Sequence, residues 1–301
     1  MRLAITGATG FVGSRLLRHA VEQGHDVVAL TRSSRSEKQG VTWVQGALDN
    51  RQALQRLVEG ADAVIHVAGV INAPDAAGFD AGNVTGTLAV LAAATASGVH
   101  RFVHVSSLAA REPKLSLYGA SKARSEELVQ RSGLDWAIVR PPAVYGPGDR
   151  ETLDLFKAAR LGVVPLPPKG RLSLIHVDDL SRLLLALAAE DAPTQLLVEP
   201  DDAREGGWTH REFAAALAAA QERRALSVPI PAGLIRLGAS IDGLLRRGKA
   251  KLTPDRAAYF CHPDWTVDPA RRPPETLWKA EIPTLPGLAD TARWYQRHGW
   301  L

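Results

Sequence analysis

Tyr118 and Lys122 stand four residues apart in Tyr118-Gly119-Ala120-Ser121-Lys122, at the start of a segment with helical patterning. One helical turn puts the phenol and the ammonium on the same face. A lysine charge beside a phenol favours the tyrosinate and draws its pKa from about 10 towards neutrality, making the tyrosine a usable proton donor or acceptor. Ser106 and Ser107 close the apolar run that starts at Arg101. Such a strand end is where open α/β sheets bind ligands, and a hydroxyl there can hold a carbonyl or alcohol oxygen beside the tyrosine. Because Y-x-x-x-K arises often by chance, its weight depends on the motifs around it.

The strongest of these is Gly7-Ala8-Thr9-Gly10-Phe11-Val12-Gly13, which follows an apolar run and opens a helix. A pyrophosphate needs backbone N–H groups at a helix N-terminus and no side chains barring its approach, and Gly7, Gly10 and Gly13 supply that clearance. The spacing is G-x-x-G-x-x-G. At the end of the second run, a carboxylate would take the ribose 2′-OH of NAD, and an arginine the 2′-phosphate of NADP. Here Arg32 and Arg35 come first and no acid precedes Glu37, so NADP(H) is expected in preference to NAD(H).

These residues need a framework that brings separated strand ends together. Apolar runs at Arg2–Thr6, Asp26–Thr31, Val41–Gln45, Ala63–Ala68, Arg101–Ser106 and Asp135–Arg140 alternate with helical segments near 11–23, 51–58, 79–97 and 118–132. Parallel neighbours require crossovers, so this alternation predicts an α/β fold, a Rossmann-type doubly wound parallel sheet. Of the 19 prolines, 17 lie at or after Pro141, and five of the seven tryptophans at or after Trp208, so the later chain reads as less regular. Arg171–Leu187 and Thr194–Val198 are expected to return to the sheet. The predicted nucleotide-binding domain therefore takes 1–165 and 171–199, and a smaller, mostly helical substrate region takes 166–170 and 200–301.

Composition narrows the partners. With 46% hydrophobic and 23% charged residues the chain can bury a core. Its net charge of +4 forms no basic stripe interleaved with aromatics, so nucleic acid is not expected. Leu3–Ile5 is too short for a signal peptide, and no apolar stretch approaches the roughly 20 residues that span a bilayer. Cys261 is the one cysteine, so no intrachain disulfide can form; a cytoplasmic protein without membrane attachment is the expectation. Near the C-terminal end of the chain, Leu234, Leu237, Ile241, Leu244 and Leu245 form a stripe at helical spacing flanked by Arg236, Arg246 and Arg247. It reads as core or pocket wall, with a membrane-surface helix as the alternative. Trp208, Trp265 and Trp278 read as packing residues.

In combination, these motifs resemble the extended branch of the short-chain dehydrogenase/reductase superfamily, the epimerase/dehydratase-like group. The matching stretches are Gly7–Gly13, His66–Gly69, Asn83–Thr87, Ser106-Ser107, Tyr118–Lys122, Arg140–Gly148 and His176–Asp179, with Gly287–Tyr295 similar to the branch's closing helix. The resemblance implies Tyr118 as general acid/base and Lys122 as the residue that tunes it and holds the nicotinamide ribose. Ser107 is the implied catalytic serine, with Ser106 as fallback. Gly7, Thr9, Gly10, Phe11, Val12, Gly13, Leu48, Ala68, Gly69 and Pro141 would line the cofactor. Asn83 matches a family asparagine with either a structural or a functional part. No metal is expected: Asp178 and Asp179 resemble a strand-to-helix junction and read as capping residues. The superfamily's dimerising helices correspond to about 79–97 and 118–132, which allows a homodimer.

Three departures bear on the substrate, a small molecule. Ala47 replaces the aspartate that contacts adenine in the branch. Ala143 stands where nucleotide-sugar enzymes carry asparagine, and Arg171 is displaced by one residue from their diphosphate-gripping arginine, which on a strand turns it to the other face. The Ser107 to Tyr118 interval is also short. The pattern is nearer to dihydroflavonol-reductase-like and hydroxysteroid-dehydrogenase-like members, which implies hydride transfer to or from a carbonyl or alcohol carbon of a relatively apolar compound. A nucleotide-sugar epimerase or dehydratase is the alternative, and a non-catalytic NADPH-binding sensor or assembly protein a third. If Arg32 reads the 2′-phosphate, Arg32→Ala weakens NADPH binding while leaving NADH binding unchanged in a fluorescence titration; equal affinities of the parent protein for both cofactors would contradict the assignment.

Overall fold

The computed structural model describes residues 1–246 and 252–301. In chain order the first elements are β1 (Arg2–Thr6), α1 (Phe11–Glu22), β2 (Asp26–Thr31), β3 (Val41–Gln45), α2 (Arg51–Val58), β4 (Ala63–His66), α3 (Ala76–Asp80), α4 (Gly86–Ala96), β5 (Arg101–Val105), α5 (Leu117–Gln130) and β6 (Asp135–Val139). They continue as β7 (Ala143–Tyr145), α6 (Leu153–Arg160), β8 (Val163–Leu166), β9 (Arg171–Leu172), β10 (Leu174–His176), α7 (Val177–Ala188) and β11 (Leu196–Val198). The last are β12 (Trp208–Thr209), α8 (His210–Ala219), β13 (Leu226–Pro229), α9 (Ala232–Arg246), α10 (Pro254–Cys261), β14 (Asp264–Trp265) and α11 (Thr284–Arg297).

The chain divides into two compact units, the first comprising 1–141, 180–199 and 273–279. Its sheet has the order β11-β6-β5-β4-β1-β2-β3, and every pairing is parallel. Strand order reverses between β1 and β4, the switch point at which such sheets bind ligands. Register sets Thr6 opposite His66 and His66 opposite His104, so three polar side chains stand abreast near the carboxyl edge. The central strands are covered on both faces, which is why β1, β2, β4 and β5 are buried almost throughout and read as unbroken apolar runs. Val28, Leu30, Leu54, Leu57, Phe102 and Ile138 belong to the core on one side.

The helix expected over 79–97 is interrupted. Between α3 and α4 lies a π-helical turn, Ala81–Thr85, in which Asn83 is buried. Wider turns of this kind recur near functional sites.

The second unit comprises 142–179, 200–272 and 280–301. Here the expected boundary is corrected. β11 does join the central sheet, but β10 pairs with β7 in a separate two-stranded ladder, and β9 lies between β12 and β14. Residues 142–165 and 171–179 thus belong with the second unit. Pro141 and Pro142 cannot donate to a ladder, so the chain leaves the sheet after β6 and begins pairing afresh. The core here gathers Tyr145, Phe156, Trp208, Leu217, Leu288 and Tyr295. Trp208 and Trp265 are buried, as expected of packing residues, and their indole N–H groups donate to Asp202 and to the Tyr259 carbonyl.

Asp201 is the polar centre of this unit. Its buried carboxylate accepts Ser173 Oγ at 2.9 Å, the Ala203 N–H at 3.0 Å and a two-pronged Arg272 contact at 2.9 and 3.0 Å. Removing one partner of such a pair strands the other. Asp201→Ala is expected to cost about 3 kcal/mol, lowering the calorimetric melting temperature by roughly 6 to 12 °C.

Candidate active site

The glycine loop is built by close backbone approach. Gly7 has φ +72°, where L side chains are strained, and a Cβ there would lie 2.6 Å from the Ala68 nitrogen. A Cβ on Gly13 would lie 2.1 Å from the Gly7 carbonyl oxygen. The loop is closed by Gly10 N–H donating to Gly7 O at 2.9 Å, and Gly10 caps α1 with no side-chain hydrogen bond to its first turn. That leaves a helix N-terminus screened by no capping group, with Thr9 and Gly10 exposed and Phe11 and Val12 half-buried beside it. Arg32 and Arg35 are exposed just past β2. Leu48 packs its methyls against Gly86 at the head of α4. This cradle and its basic rim fit a dinucleotide diphosphate.

Beneath the loop, hydroxyl partners fix the protonation of two stacked imidazoles, His66 and His104, whose centroids are 5.4 Å apart. Thr87 Oγ1 donates to Asn83 O at 2.7 Å, so its 3.0 Å contact with His66 Nε2 must be donated by the ring. His66 Nδ1 then accepts Thr6 O–H at 2.7 Å, while Thr6 Oγ1 accepts the Ala68 N–H. The same logic makes His104 Nε2 the donor to Ser125, whose hydroxyl proton goes to Lys122 O. Both rings are neutral. Burial first, then the Lys122 charge, lowers His66 to about 3, and burial takes His104 well below its usual range.

Lys122 is buried and donates to Val105 O at 2.7 Å; burial lowers its pKa to about 8 against the upward pull of Glu126. Gly69 lies directly beside it, since a Cβ there would be 3.6 Å from Nζ and 3.0 Å from Asn83 Oδ1. Asn83 spends its amide on Val70 N at 2.7 Å, Val70 O at 2.9 Å and Ser121 Oγ at 2.9 Å. These bonds let it position the Ala68–Val70 strand exit. Ser107 caps the 3-10 turn Leu108–Arg111 through Ala109 N, and its hydroxyl acts to lower the pKa of the Tyr118 phenol. Ser106 instead donates to Glu126. Pro141 takes part through its backbone, accepting the Leu108 N–H at 3.1 Å.

One expectation changes. Burial raises the Tyr118 pKa, and the Ser107 hydroxyl works against it; the downward pull expected from Lys122 does not prevail. Asp178 and Asp179 lie in the first turn of α7, where Asp179 also accepts the N–H groups of Glu281 and Ile282 and Asp178 lies beside His176.

Sequence reasoning missed an ion network behind the serines. Glu126 binds Arg140 Nε and a terminal nitrogen at 2.8 and 2.6 Å, and buried Glu199 bridges Arg140 and Arg111 at 3.4 and 3.3 Å. One signal was available: Glu126 stands four residues after Lys122, on the same helical face.

A switch-point glycine loop combined with a Ser-Tyr-Lys set defines an NAD(P)-dependent enzyme of the extended short-chain dehydrogenase/reductase class. Residues 3–198 match the model of the NAD dependent epimerase/dehydratase family, and the chain belongs to that family. It is 39% identical to a ceramide reductase of Caulobacter vibrioides over 99% of this chain and 96% of that protein. It is 32% identical to a 2-alkyl-3-oxoalkanoate reductase of Stenotrophomonas maltophilia, covering 90% and 93%. Among solved structures, WbmG of Bordetella bronchiseptica in complex with NAD superposes with a TM-score of 0.78 over 100% of this chain and 95% of that one, at 21% identity, a likeness of fold. Reductase relatives across nearly the whole length support an oxidoreductase.

The neutral histidines make the site floor acid-sensitive. A folded pKa of about 3 for His66 against the ordinary 6.5 means that the unfolded chain binds more protons between those values. Stability is therefore complete above pH 6.5 and is lost as pH falls towards 3, by about 1.4 kcal/mol per unit from this residue. Between pH 7 and 4.5 the protein is expected to lose about 2 to 3 kcal/mol more than His66→Gln in urea titrations. Parallel pH profiles would contradict the assignment.

Proposed function

We propose that this chain is an NADPH-dependent reductase of a ketone carried on a long-chain, weakly polar molecule. One observation carries the reading: the Tyr118 phenol, on which the Ser107 hydroxyl acts, has its pKa raised by burial. A raised pKa keeps the phenol protonated at neutral pH, the form that reduction requires. When bound, the dinucleotide supplies the hydride for the carbonyl carbon. Tyr118 gives its proton to the carbonyl oxygen, Ser107 holds that oxygen in place, and Lys122, protonated at pH 7, stabilises the tyrosinate left behind.

The choice of NADPH rests on Arg32 and Arg35, exposed at the end of β2 with no acid among them. The substrate class draws on the relatives: ceramide and 2-alkyl-3-oxoalkanoate both carry long apolar chains, and the second is a 3-oxo compound. Arg171 speaks against a nucleotide sugar, because its guanidinium is committed to the carbonyls of Gly206 and Gly207. The intact Ser-Tyr-Lys set speaks against a non-catalytic role.

Tyr118→Phe removes the proton donor and little else. With a long-chain 3-oxo amide and NADPH, turnover is expected to fall by roughly 10²–10⁴-fold while cofactor affinity stays unchanged. Undiminished turnover in that variant would overturn the mechanism, and faster NADPH oxidation with short polar ketones would overturn the substrate class.

A further inference from the structure

The stripe read from sequence as core or pocket wall is not core where the structure describes it. Leu234, Leu237 and Ile241 on α9 are 59%, 56% and 47% exposed. The side chains of Leu244, Leu245, Arg246 and Arg247 lie outside the described residues. At roughly 100° per residue, the three exposed side chains share one face, while fully buried Ala239 points the opposite way. This helix thus turns its small residue inward and its large apolar ones to solvent, the reverse of the usual amphipathic arrangement. Just before it, β13 exposes Leu226 and Val228, and its ladder partner β8 exposes Val163 directly opposite Leu226. Among the described residues, five of the thirteen exposed large hydrophobic side chains fall within 226–241.

Charge is concentrated in the same stretch. Residues 223–251 contain seven Lys and Arg against one acid, a net +6, whereas the whole chain carries +4. The remainder is therefore net negative. Arg223, Arg224 and Arg236 are exposed. Apolar side chains facing outward and a segment whose sequence is strongly basic supply the two features that bind a protein to an anionic lipid surface: apolar insertion to the acyl boundary and attraction to headgroups. A second copy of this chain would be repelled by the same charge. The helices expected to mediate self-association, 79–97 and 118–132, belong to the other unit.

We infer that α9, with the outer face of the β8–β13 ladder, docks this protein onto an anionic lipid bilayer, lying on the surface and not crossing it. No helix among the described residues is long and apolar enough to span a membrane. This departs from the expectation of no membrane attachment, and it stands independently of the proposed reaction.

The test is flotation of the full-length protein with phosphatidylcholine vesicles containing or lacking half phosphatidylglycerol. Association is expected with anionic vesicles alone, and it weakens as salt is raised. Arg223→Gln with Arg224→Gln is expected to weaken it by roughly fivefold per charge removed. Leu234→Ser with Leu237→Ser is expected to weaken it at least tenfold. Both pairs are exposed, so their circular dichroism melts should match the parent, and NADPH affinity serves as a second control on folding. Failure to float with anionic vesicles, or flotation indifferent to both double variants, overturns the proposal. So does light scattering that shows a dimer which the leucine variant converts to monomer, since a second copy would then cover the face.

Discussion

The site depends on how closely two strand exits approach each other. The chain leaving β1 and the chain leaving β4 run side by side, near enough that a methyl group on Gly7 would overlap the Ala68 backbone. That contact fixes the phosphate cradle on one side. On the other, Ala68 and Gly69 carry the constraint across to Asn83 and Lys122, so one continuous stretch of backbone lies against both the glycine loop and the lysine. The parallel register makes this possible, since it brings Thr6 and His66 abreast and lets one threonine hydroxyl hold both the histidine and the Ala68 amide.

Burial of charge sets the character of the catalytic side. Lys122 is held by a backbone carbonyl, Glu126 by a serine and an arginine, and Glu199 by two arginines. Each buried ion has partners, as desolvation demands. The outcome for Tyr118 is decided by magnitude: the loss of solvent around the phenol outweighs the help of one hydroxyl, and its pKa is raised. The neutral histidine pair beneath adds no competing charge.

Much of this was legible in the sequence, and for identifiable reasons. Strands buried on both faces announce themselves as apolar runs, so β1, β2, β4 and β5 and the glycine junction could be placed. The four-residue step from Tyr118 to Lys122 translates directly into a shared helical face. Pairing partners are a different matter. Nothing local in Leu174–His176 distinguishes a strand that rejoins the central sheet from one that pairs with Ala143–Tyr145, because both are short and buried. The ion network escaped because it joins residues from α5, β6, the Leu108–Arg111 turn and the end of β11, which only the fold brings together. Periodicity located the apolar face of α9 but said nothing about what covers it. The three hydrogen bonds of Asn83, to Val70 and Ser121, likewise join residues that only the fold brings together.

The π-helical turn at Ala81–Thr85 gives the helical segment a phase. One residue in an α-helix advances the chain by roughly 100°, so a turn that absorbs an extra residue lets α3 and α4 present different faces without a break between them. The asparagine that ties Val70 to Ser121 sits in that turn. Deleting one residue there would restore regular helical geometry and swing the amide away from both partners, whereas the same deletion in an exposed loop would be absorbed locally. The segment is thus a place where length, more than residue identity, is under constraint: its imperfection is the feature that has to be kept.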